Sequence, residues 1–227
     1  MDDAAECPLA QTDDKFDEAH YFVSRMMDEY HDPMPFRYNL NAFLQALRNV
    51  TFVLQKEFAH RDGFSSWYQK KQEAMRNDSL LRNFLEGRNV VVKQGSLELN
   101  SNATVGVFRS RTIKLGIGGD VPASLSSDYI IQQMALKSGL IPPEHFAIDE
   151  QYGVRREWYA PELGQGNVLT LCDLAWVKIG RVLSEAHEIA GWHSMPPVEH
   201  GHKAEKCDVL LEMDIDPILP EKWGWYD

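Results

Sequence analysis

Apolar residues recur at helical spacing along the first ninety positions, and then the period changes. Phe16, Ala19, Val23, Met26, Met27 and Tyr30 form one stripe that predicts a helix over 13–30, with Thr12 or Asp13 as its cap. The stretch 31–35, His-Asp-Pro-Met-Pro, ends it, because prolines cannot continue a helix, and Pro35 suits the first turn of the next. Phe36, Leu40, Phe43, Leu44, Leu47, Val50, Leu54 and Phe58 then predict a long helix over 35–60. A polar helix over 65–76 is anchored by Trp67 and Tyr68. Another, over 79–92, is capped by the Asn77-Asp78-Ser79 stretch and stopped by Gly95. From 103 the alternation becomes two-residue: Val105, Val107, Arg109, Arg111, Ile113, Leu115 and Ile117 share a side, which predicts a hairpin turning near Arg109–Ser110 or one long strand. A short helix over 124–137 follows. Residues 139–166 read as loop, being rich in proline and glycine. A last strong helix runs to about Ala190, started by Asn167 or Thr170 and carrying the stripe Leu171, Leu174, Ala175, Ile179, Val182 and Leu183.

Charge adds a local contrast. The 227-residue chain carries a net −11, which opposes broad, sequence-independent nucleic-acid binding. Residues 48–93 nevertheless hold nine Lys/Arg against five acids, a net +4, which leaves −15 for the rest. These cations are either a solvated helix face or a local anion-binding surface, for which Arg48, Arg82, Arg88 and Lys93 are the candidates. No stretch is apolar enough to cross a membrane, the acidic start is no secretory signal, and three scattered cysteines (Cys7, Cys172, Cys207) do not suggest a disulfide framework. The expected location is cytoplasmic.

The fourth helix closes on Arg88-Asn89-Val90-Val91-Val92-Lys93-Gln94-Gly95. With the helix order around it, this stretch resembles the HEPN superfamily, whose motif is an Arg, a polar neighbour and a His four to six residues on. Arg88 and Asn89 match its first two positions, and Lys93 stands where the His is expected. The resemblance implies a mainly α fold, an up-down helical bundle with a small β-containing insertion. Residues 13–95 plus 168–190 would form the bundle, 96–167 the insertion, and 191–227 an acidic, Trp-containing tail. It also implies a homodimer, an RNA or nucleotide ligand, and a defence or toxin–antitoxin setting, with Arg88, Asn89 and Lys93 as the degenerate catalytic set.

The change to Lys93 has a chemical consequence. Metal-free RNA cleavage needs a group that takes and returns a proton near neutrality, as His does with a pKa near 6.5. A Lys with a pKa near about 10.4 stays charged and can hold a phosphate, but is a poor base. Binding of RNA, a nucleotide or a protein partner is thus expected ahead of cleavage, with a metal-independent endoribonuclease and a structural interaction module as alternatives. His31 or His60 could replace the missing His.

His200, His202 and Cys207 have the residue types of metal ligands, but their spacing matches no standard zinc pattern, so no metal or other cofactor is expected. No nucleophile-elbow or phosphate-loop motif is present. The tail, with Trp192, Trp223 and Trp225, is either docked or a peptide for a protein partner.

Overall fold

The computed structural model describes residues 7–136, 146–147, 149–192 and 201–215. Helix α1 (Ala10–Asp28) turns within four residues into α2 (Pro33–Phe58), and the two pack along their length. Asp32 makes the turn: its side chain accepts from the Met34 N–H, and Pro33 fills the first helical position, where no donor is missed. The start of α1 is held differently from expectation. Neither Thr12 nor Asp13 is its N-cap. Glu57, at the end of α2, accepts from the N–H groups of Gln11 and Thr12 at 3.0 Å each and from the Thr12 hydroxyl at 2.6 Å. A carboxylate from a neighbouring helix thus satisfies the orphan donors of the first turn and complements its dipole.

Helix α3 (Phe64–Asn77) leads through Asp78 into α4 (Ser79–Gln94). Asp78 accepts from the Leu81 N–H and also receives Lys178 of the long helix α6 (Val168–Ile189). Gly95, at φ +94°, closes α4 in a left-handed conformation that a side chain would strain. Asn167 caps α6 by accepting from the Leu169 N–H.

A four-stranded antiparallel sheet of order β2-β1-β3-β4 accompanies the helices. Strands β1 (Asn100–Arg109) and β2 (Thr112–Val121) form the expected hairpin, turning at Ser110 with φ +53°. Helix α5 (Ser127–Leu136) follows. Strand β3 (Glu150–Tyr159) then pairs with the whole of β1, and the short β4 (Val209–Leu211), which leads into α7 (Glu212–Ile215), pairs with β3.

The sheet corrects the predicted fold class. Helices predominate, but this is a mixed α/β fold, not a mainly α up-down bundle of HEPN type with a small β-containing insertion. The physical reason is β3, which lies in the proline- and glycine-rich stretch 139–166 that predicts loop. Its inward positions are Tyr152, Val154, Arg156 and Trp158, all buried. An arginine in that series breaks the apolar alternation that marks a half-buried strand. Trp158 lies stacked on Phe36 of α2, with ring centroids 4.9 Å apart, and donates its indole N–H to the Tyr30 carbonyl at 2.8 Å. Leu97, Trp158, Ala160 and Leu163 belong to the same core as α1, α2, α4 and α6. Gly153 permits the close approach, since a Cβ there would stand 2.8 Å from both Leu211 and Phe108.

Candidate functional site

Helices α2, α3 and α4 splay around a cleft of about 220 Å³, and α6 closes its floor. Leu47, Phe84 and Ile179 supply apolar floor, and Tyr68 presents a ring. Arg48, Arg76 and Arg82 stand around it, and no carboxylate lines it. Among the described residues, none of these three arginines forms an ion pair, although the chain as a whole is strongly acidic. Arg76 lies in the last turn of α3, where the dipole favours a cation, whereas Arg82 lies at the start of α4, where the dipole opposes one, so only the chain connection through Asp78 brings the two near each other.

Arg48 is the best-oriented cation. Its guanidinium sits 4.0 Å from the centroid of Phe52 and donates to the Thr51 hydroxyl at 2.6 Å. Burial lowers its pKa, and the neighbouring charge of Arg88 adds to the effect. An arginine remains charged even so. A desolvated cation that lacks a counter-ion is a receptor for an anion. Tyr68, raised mainly by burial, donates to the Thr51 carbonyl and accepts from Gln55, so its ring is fixed against the cleft.

Arg48 and Arg82 therefore share the cleft. Arg88 adjoins it without lining it: its guanidinium reaches Asn89 Oδ1 at 3.3 Å, and its buried Nε has no hydrogen-bond partner among the described residues. Lys93 is exposed and lies five residues further on, about 140° around the helix from Arg88. The two do not converge on one point. Arg76 is a cleft residue that the sequence did not single out, and no local motif marks it. His60 is exposed beyond α2, and His31 is engaged with the Ser127 hydroxyl at 2.9 Å; neither lines the cleft.

His200, His202 and Cys207 have the residue types of metal ligands without a standard spacing. His200 lies outside the described residues. Burial pushes the Cys207 thiol up to about 12. His202 sits between Asp173 Oδ1 at 2.9 Å and Ser24 Oγ at 3.0 Å. That order is the one found in hydrolase triads, but Ser24 lies inside α1 and its hydroxyl also reaches the His20 carbonyl. The amides beside it are committed to helical bonds and cannot cradle an oxyanion. The network fastens the segment after residue 200 onto α1 and α6.

The family model for bacteriophage lambda protein ea47 matches residues 1–209. Protein ea47 of Escherichia phage lambda is 41% identical over 85 residues, a stretch that covers 37% of this chain and 21% of that protein. The chain thus matches about a fifth of the length of this curated relative. No solved structure matches. These findings overturn the HEPN assignment, and with it the degenerate-ribonuclease and toxin–antitoxin expectations. The resemblance rested on the order of helices and a short helix-end motif, neither specific enough to stand against a family match over residues 1–209. The chain belongs to the phage lambda Ea47 family.

Proposed function

We propose that this protein binds a small phosphorylated aromatic ligand of the nucleotide class in the cleft between α2, α3 and α4. The observation that carries the reading is the trio Arg48, Arg76 and Arg82, without ion pairs among the described residues, around an apolar floor with Tyr68 beside it. A phosphate meets the arginines, and a base or other ring meets Leu47, Phe84 and Tyr68. The net −11 opposes a long polyanion through its long-range field, whereas three local cations favour a short one. Nothing in the cleft supplies a base or nucleophile of neutral-pH chemistry, so binding is the function assigned.

Calorimetric titration with a nucleoside triphosphate, the bare nucleoside, inorganic triphosphate and a long RNA tests the reading. Saturable binding of the nucleotide is expected, tighter than either fragment and stronger per site than the RNA. Replacement of Arg48 or Arg82 by Ala should weaken it by on the order of tenfold or more, the worth of one charge-assisted hydrogen bond. Equal affinity in these variants, or binding of the RNA alone, would contradict it.

A further inference from the structure

At the opposite end of α6 from its cap, three side chains from distant parts of the chain meet. The Cys7 thiol lies 3.1 Å from Asp13 Oδ2 and 3.3 Å from His187 Nε2, and His187 Nε2 lies 3.2 Å from Asp13 Oδ2. We propose that Cys7, Asp13 and His187 form a site for a divalent transition metal of the zinc type, with solvent in the fourth position. The inference is independent of the arginine cleft.

The connectivity is what favours a metal. In a catalytic cysteine triad the carboxylate and the thiol contact opposite nitrogens of the imidazole. Here both converge on the same one, Nε2. The other, Nδ1, lies 3.1 Å from the Leu183 carbonyl. When His187 carries its proton on Nδ1, toward that carbonyl, Nε2 presents a lone pair beside the carboxylate oxygen 3.2 Å away, an arrangement that a shared cation satisfies. A backbone carbonyl behind the ring is also the usual orienting partner of a metal-bound histidine. Tetrahedral zinc with bonds of about 2.0–2.3 Å places ligand atoms about 3.3–3.6 Å apart, so a spread of a few tenths of an ångström admits the ion.

The surroundings are suited to the role. Burial, helped by the Asp13 and Glu57 carboxylates, pushes the Cys7 thiol up, and the Leu9 N–H, which points at the sulfur at 3.4 Å, opposes that shift. Leu9 and Ala186 are buried in one core cluster, which holds Cys7 and His187 on a firm base. His187 is itself buried, at 3% exposure, while Cys7 and Asp13 are half-buried, so the fourth position faces solvent. Glu57 caps α1 in place of Asp13, whose carboxylate faces Cys7 and His187 instead. On coordination the Cys7 thiol gives its proton to solvent, and the metal would tie the start of α1 to the end of α6.

Cobalt(II) titration of the full chain reads the site directly, because a thiolate ligand adds a charge-transfer band and four-coordination gives strong visible bands. One equivalent should bind with both features. Cys7→Ser should remove the charge-transfer band, while Cys172→Ser and Cys207→Ser should leave it. Asp13→Asn, which keeps the thiol, should retain the band but weaken binding on the order of tenfold to a hundredfold, and far-UV circular dichroism establishes that each variant is folded. A thermal midpoint raised by zinc in wild type and not in Cys7→Ser would agree. No thiolate band in wild type, or a band that survives in Cys7→Ser, would overturn the proposal.

Discussion

His31 shows how strongly one position can feel the fold. It follows α1, contacts the Ser127 hydroxyl, and has its pKa lowered to about 4, chiefly by burial, with the charge of Arg156 acting in the same direction. The unfolded chain therefore takes up this proton first as pH falls. Stability is full above about 6.5 and declines toward about 4, by at most about 1.4 kcal/mol per pH unit. Urea midpoints of wild type and His31→Gln at pH 7 and pH 5 isolate the contribution: the wild type should lose more. Equal losses would place the effect elsewhere. Arg156 beside it is fully buried; its terminal nitrogens donate to the Leu125 carbonyl and the Ser101 hydroxyl, its guanidinium lies 3.8 Å from the Trp158 ring, and its Nε has no hydrogen-bond partner among the described residues. Such partners are invisible from sequence, as is the contact of Cys7 with His187, 180 positions away. Arg48, Arg76 and Arg82 were all legible as members of a basic segment, but which of its nine cations share a cleft depends on how α2, α3 and α4 pack.

At the scale of elements, the continuous stripes of α1, α2, α4 and α6 made them legible, as did their boundary residues: Pro33 and Pro35 between α1 and α2, Gly95 at the end of α4 and Asn167 at the start of α6. Strand β3 was not legible, because Arg156 occupies an inward position and the segment before it is rich in turn-formers. The pairing of β4 with β3 joins distant parts of the chain and leaves no local trace. Asp78 tests the element description. It caps α4 and meets Lys178 of α6. Burial acts to raise its pKa, but Lys178 and the α4 amides outweigh it and hold the carboxyl below its ordinary 3.8. Asp78→Ala should cost about 1–2 kcal/mol at neutral pH by denaturant unfolding, as lost caps do. A depressed folded value gives stability that is present above pH 3.8 and lost as pH falls through the lower folded value. The difference between Asp78→Asn and wild type should therefore vanish in acid below that point. A difference that persists there would show that the ionised carboxylate is not what holds α4.

For the whole molecule, Trp158 is the residue on which helices and sheet meet. Its stacking on Phe36 and its bond to Tyr30 put β3 into the helical core. Trp158→Ala should destabilise by about 3–5 kcal/mol, and the far-UV and near-UV signals of the variant should still unfold together. A sheet that melts separately from the helices would contradict the shared core. The strongly acidic chain leaves the arginine cleft as a local exception in the field of the molecule.

The most direct test of the account is calorimetry with one nucleoside triphosphate at fixed ionic strength. Wild type is compared with the Arg48→Ala/Arg82→Ala double variant and with Lys93→Ala, each verified as folded. Saturable binding in wild type and Lys93→Ala, with affinity lost by on the order of a hundredfold in the double variant, is the predicted result. Loss in Lys93→Ala with binding retained in the double variant, or no saturable binding by wild type, would contradict an arginine-lined nucleotide cleft as the working site.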